Sequence, residues 1–176
     1  MLRRNAGLSL LEYVVGLAIL AIVLVGAGLF FLSQPRQLDP VFQFRAVALA
    51  EALAEQVLAV KYDAANNPRL QIRCDIDEDT GCVNSATAEE HSGLNSFKHV
   101  DDFNLWCDEN AIDGDELANE ENLKLASPQL YRRYRVATCV TSEDDSAGTS
   151  FKKVVITIAD QNGSDLSFTL HRYNIR

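Results

Sequence analysis

Residues 13–32 are twenty consecutive positions with no charge and no Asn, Gln, Ser or Thr. At about 1.5 Å of rise per residue, such a run makes a helix about 30 Å long, the thickness of a bilayer's hydrocarbon core. A chain that carries it must surround this segment with lipid or with the interior of an assembly. A cleavable secretory signal would have a shorter apolar region followed by a small-x-small site. Ala27 and Gly28 imitate such a site, but Leu29, Phe30, Phe31 and Leu32 follow directly and keep the segment apolar. The run reads as a spanning helix retained on the protein.

The remainder is opposite in character. The 176 residues hold 16 Lys+Arg and 25 Asp+Glu, a net charge of −9, and 47% are hydrophobic. The first 35 contribute +1 through Arg3, Arg4 and Glu12, which leaves −10 on the other 141. This is an apolar stem on an acidic body long enough to bury a core. No nucleic-acid partner is expected, because phosphate binding needs clustered Lys and Arg.

Glu12 stands just ahead of the apolar run, where an ionisable group is costly and usually partnered. The run itself offers no Lys, Arg or His. The counter-charge is therefore to be sought in headgroups, water or another chain. Before Glu12 lie Arg3, Arg4, Asn5, Ala6 and Gly7, then Leu8, Ser9, Leu10 and Leu11. A short basic leader ending in Gly, one apolar residue, and Glu five positions after that Gly resemble the type IV prepilin signature.

The resemblance implies a definite life history. A membrane prepilin peptidase would cut after Gly7, and Leu8 would become an N-methylated terminus. Family members most often have Phe at that position, with Leu and Met also found. Glu12 would face the cationic terminal amine of a neighbouring subunit. Opposite charges in low dielectric attract strongly, and such a pair sets axial register. Parts of the body are similar to MSHA-type minor pilins: Asp39-Pro40-Val41-Phe42-Gln43-Phe44-Arg45-Ala46, Arg73-Cys74 with a second Cys soon after, and Val100-Asp101-Asp102-Phe103. The strand pattern from Tyr131 to Val140 and the ending Arg172-Tyr173-Asn174 match in style. Cys107 and Cys139 are additional to that family's usual pair.

Pro35 should break the helix, and Asp39-Pro40 supplies an N-cap followed by Pro at the first helical position. From there Phe42, Ala46, Leu49, Leu53, Val57 and Val60 recur at steps of three or four, which predicts an amphipathic half-helix over residues 39–63. Its apolar stripe is expected to lie on the body.

All four cysteines, Cys74, Cys82, Cys107 and Cys139, follow the spanning segment, and an even count outside a membrane favours disulfides. Three pairings are open to four cysteines, and the expectation is Cys74–Cys82, closing a small loop, with Cys107–Cys139. Paired C-x-x-C spacing for zinc is absent. Arg3 and Arg4 favour the cytoplasm only weakly, since Arg36 and Arg45 lie beyond the other end. The disulfides place the body in the periplasm.

Residues 74–123 carry fifteen acidic residues and one basic residue, Lys98. Asp75, Asp77 and Asp79 alternate, and Asp113-Gly114-Asp115-Glu116 follows, which suits the oxygen chemistry of calcium. Neither segment keeps the Gly and Glu positions of an EF-hand, so only an irregular calcium site stays open. A solvated acidic surface that selects neighbours by charge is the main expectation. Residues 124–176 are basic by contrast, at +3.

From Tyr131 the pattern alternates. Tyr134, Val136, Thr138 and Val140 share one strand face; Val154, Ile156 and Ile158 another; Leu166, Phe168 and Leu170 a third. Residues 142–150 read as a polar loop, and Asn162-Gly163 as a tight turn. His91, His99 and His171 lack metal spacing and are expected on the surface. With no phosphate loop, nucleophile elbow or Ser-x-x-Lys, no catalysis and no cofactor are expected.

The fold expected is α+β and pilin-like, with a long N-terminal helix against an antiparallel sheet of three or more strands. Residues 1–7 are the leader, 8–35 the hydrophobic helix and 36–176 the body, itself divided at 64–128 (acidic, disulfide-bearing) and 129–176 (sheet). The expected role is a minor type IV pilin subunit in pilus assembly, initiation or the tip. Its partners would be other pilin subunits, the prepilin peptidase, the inner-membrane assembly machinery and, before assembly, lipid. A type II secretion pseudopilin and a non-polymerising, membrane-anchored periplasmic binding module are the alternatives.

Overall fold

The structure is a computed structural model that describes residues 10–33, 40–76, 80–89, 93–123, 125–161 and 163–174, with the side chains of 29–33 excepted. The chain divides into two units, residues 1–39 and 40–176.

In the first unit, helix α1 (Leu10–Ser33) runs 24 residues without a break. That is about 36 Å of helix, enough to cross a membrane with some tilt. Apolar side chains on every face explain its character. A helix that must bury one side against a body has a stripe; this one has none.

The second unit begins with α2 (Pro40–Ala59), whose Phe42, Ala46, Leu49, Ala50, Leu53 and Val57 are buried. The predicted stripe is observed, with Ala50 added. The helix ends at Ala59, earlier than the expected 63, and Val60 packs half-buried just beyond it. The four residues released carry the chain into Asp63, a position that becomes important below.

The sheet has four antiparallel strands in sequence order: β1 (Ile112–Asp113), β2 (Tyr134–Asp144), β3 (Ser150–Asp160) and β4 (Asp165–Tyr173). Tyr134, Val136 and Thr138 on β2 and Val154, Ile156 and Ile158 on β3 are buried on the face that meets α2 and the short helical turns. Register pairs Val136 with Ile158, and Ile156 with Phe168. Ser142, Glu143 and Asp144 were expected in a loop but continue β2 opposite Lys152, Phe151 and Ser150. The turn is only residues 145–149, where the Asp145 carboxylate accepts hydrogen bonds from the Ala147 and Thr149 amides at 2.9 and 2.8 Å. Gly148 takes φ +77°, which only glycine adopts freely. Gly163 does the same at φ +79° in the last hairpin; Asn162 lies outside the described residues.

Between α2 and β2 the acidic region folds into 3-10 turns (Leu94–Ser96, Val100–Trp106, Asp108–Asn110), β1 and the short helix α3 (Gly114–Ala118). Phe97, Phe103 and Trp106 stack there, with ring centroids 4.6–6.4 Å apart. Thr138 Oγ1 donates to the Phe103 carbonyl, and Asn104 Oδ1 accepts from the Val140 amide at 3.0 Å, which fixes this region on β2. Gly114, read from sequence as part of a calcium-like segment, has a packing reason. A Cβ there would meet the Tyr131 carbonyl oxygen at 2.5 Å.

Both expected disulfides are present, Cys74–Cys82 across 8 residues and Cys107–Cys139 across 32. The first closes the loop after α2. The second ties the 3-10 turns to β2.

Candidate functional site

Three features of the described residues carry chemistry: the apolar stem, a buried cluster of charges, and two oppositely charged clefts.

Glu12 occupies the first turn of α1, where the helix dipole favours an acid. Around it the described side chains of residues 10–28 are all exposed, Leu10 at 82% and Leu11 at 74%. None of the span Leu10–Gly28 is buried. Its length and composition allow it to cross a membrane, as an anchor or as a signal sequence. The processing residues Gly7 and Leu8 lie outside the described residues.

The body holds a different kind of site. Residues 151–160 belong to β3, and strand alternation puts Lys152 on the same face as Val154, Ile156 and Ile158. Lys152 is therefore fully buried. Its Nζ donates to Asp63 Oδ2 at 2.7 Å and to Asp101 Oδ2, and the Tyr62 ring lies over it at 4.7 Å. Asp63 is delivered by the chain leaving α2, and Asp101 by the 3-10 segment Val100–Trp106. Both are buried, at 0% and 4% exposure.

The two carboxyl groups are not equivalent. Burial pushes Asp63 up, but Lys152 and the amides of Val83, Ala65 and Asn84 outweigh it and hold the group far below the usual carboxylate range. Among the described residues Asp101 accepts no such set of amides, and burial raises it in spite of Lys152. Tyr62 is pushed up to about 12 by burial and by Asp101 and Asp63, so it stays neutral.

Next to Asp101, His99 is 2% exposed, which corrects the expectation of a surface histidine. Its Nε2 lies 2.7 Å from Thr87 Oγ1 and 3.3 Å from Asp102 Oδ1. Its Nδ1 faces Asp101 Oδ2 at 3.5 Å and makes no hydrogen bond among the described residues. Asp102 is fully buried and accepts from the amides of Thr87, Ala88, Lys98 and His99. Those amides pull its carboxyl below the usual range against the effect of burial. Asp101 and Asp102 thus depart from the solvated acidic surface expected of residues 74–123. His171 is exposed on β4, its ring 4.7 Å from Phe151, and His91 lies outside the described residues.

On the surface, a cleft of about 520 Å³ is lined by Lys61, Arg73, Arg172, Tyr173 and Asn174 at the β4 edge. A second, of about 380 Å³, is lined by Glu109, Asp113, Glu116 and Glu120 with Arg135 at the β1 edge. Four residues of the acidic segment thus gather at one edge of the sheet, while the basic cleft at the other edge combines Lys61 and Arg73 with Arg172 from residues 124–176. Asp75, one of the calcium candidates, accepts from the Cys82 amide at 3.2 Å; Asp77 and Asp79 lie outside the described residues. Comparison with protein-family models, with curated proteins and with solved structures found no match.

The sequence pattern names only Val154, Ile156 and Ile158 on this strand face and leaves the buried cluster out. Extending the alternation two residues back would have placed Lys152 on the core face, which is the signal that was available.

Proposed function

We propose that the chain is a minor type IV pilin subunit of the MSHA kind. A prepilin peptidase cuts it after Gly7 and Leu8 is methylated. The helix over residues 8–35 holds it in the inner membrane with the body in the periplasm, then packs into a filament at initiation or at the tip. In this reading the chain is a substrate of the peptidase and not itself an enzyme.

One observation carries the reading: Glu12 sits in the first turn of a continuous 24-residue apolar helix whose described side chains are all exposed. Such a surface needs lipid before assembly and other apolar helices after it. A single acid at its start suits the cationic terminus that cleavage would create on a neighbour. Two edges of opposite charge suit a subunit that meets different neighbours on each side, the geometry that builds open filaments.

N-terminal sequencing and mass analysis of the chain from cells with active peptidase test this. A start at methylated Leu8 is expected; a start at Met1 would overturn it. Deleting the gene should reduce surface filaments and leave protein export intact. Loss of export with intact filaments would move the chain to a type II secretion pseudopilus.

A further inference from the structure

A lysine amine in contact with two carboxyl groups, all shut away from water, is a set of reactants as well as a cluster of charges. We infer that Lys152 and Asp101 become joined by an amide bond between Nζ and Cγ, with Asp63 moving the protons.

The step balances within the site. Asp63 takes a proton from the Lys152 ammonium, and the neutral amine attacks Cγ of protonated Asp101. The C–O bond to the Asp101 hydroxyl breaks. That hydroxyl leaves as water with a proton relayed by Asp63, which takes the last nitrogen proton in its place. Ammonium, carboxylic acid and carboxylate become amide, water and carboxylic acid, and nothing is oxidised or reduced.

The surroundings divide the roles. Asp63, held ionised by three amides at 2.9–3.1 Å, is a poor electrophile, and its Oδ2, 2.7 Å from Nζ, is the second oxygen placed to receive a proton from the amine. Asp101, which burial keeps protonated more readily, is the electrophile. Two carboxyl groups pushed apart in this way are the arrangement that assigns acid and base roles in a site.

Burial helps in a further respect. The Tyr62 ring covers the amine, so little water is present to reverse the condensation. The reactants are already in contact, which removes the entropy cost of bringing them together. The product would staple β3 to the 3-10 segment across 51 residues, independently of both disulfides. Nothing in it depends on the filament reading.

The test is a peptide map of the full-length chain, extracted in detergent, reduced, alkylated, denatured and cut with trypsin. The expected product is a branched peptide joining the Asp101 and Lys152 segments. It should be lighter by one water than the two together, with no cleavage after Lys152. Recovery of both as linear peptides, with cleavage after Lys152, would overturn the inference and leave an ion cluster. Asp63→Asn keeps both partners but removes the base, and it should return the linear peptides. A fully branched product from that variant would remove Asp63 from the mechanism. The wild-type map decides the bond itself even if the variant does not fold.

Discussion

Stem and body both set charge against an apolar background, and they answer it differently. In the body, Lys152, Asp63, Asp101, His99 and Asp102 meet one another from α2's end, the 3-10 segment and β3, so folding supplies every neighbour. On the stem, Glu12 sits in the first turn of a helix whose described side chains are all exposed, and in the proposed function a neighbour's terminal amine comes to it on assembly. The body's charges should therefore govern stability. The stem's charge should govern association.

Four substitutions would break or sharpen that contrast. The largest effect is expected for Lys152→Ala, which removes the inferred amide to Asp101 and leaves two buried carboxyl groups with neither bond nor cation. It should cost at least about 3–5 kcal/mol, read from the urea midpoint of the full chain in detergent. An unchanged midpoint would mean the cluster does not hold the body together. Glu12→Ala should leave that midpoint where it is and cut incorporation into filaments, at a cost of about 2 kcal/mol or more in subunit association. Wild-type incorporation would remove the assigned role.

Asp102→Asn should cost about 1.5–3 kcal/mol at neutral pH, since one charged acceptor of four amides is lost. The sign with pH follows from the lowered folded-state value. Asp102 stabilises the fold above the ordinary 3.8 and loses that contribution as pH falls below it. The gap between wild type and variant should therefore close as the urea midpoint is followed down through that range, and a pH-independent gap would contradict it. The smallest effect is expected for Glu143→Ala. Its carboxyl is held below the usual range by Lys153, 3.1 Å away, but the pair is exposed and solvent screens it. No measurable change in midpoint is the expected result.

Much of the architecture was legible in the residues. The faces of β2, β3 and β4 followed period two, and α2's stripe followed period 3.6, because each element buries one side against the same core. The disulfide between Cys74 and Cys82 was legible for a simpler reason, that eight residues close readily on themselves. β1 was not, because two residues are too short to show alternation and are a strand only where β2 pairs with them. Ser142, Glu143 and Asp144 looked like loop because they are polar. They extend β2 because β3 is long enough to pair with them on a solvated margin.

The sequence by itself determined the stem: twenty apolar residues make a helix long and apolar enough to cross a membrane, whatever the rest does. It also determined which faces of the long elements turn inward, since solvent acts on each residue separately. Tertiary structure alone decided the fate of Lys152, Asp101 and His99. A polar side chain can be buried only where partners from distant segments, 51 residues apart for Lys152 and Asp101, arrive in the same place.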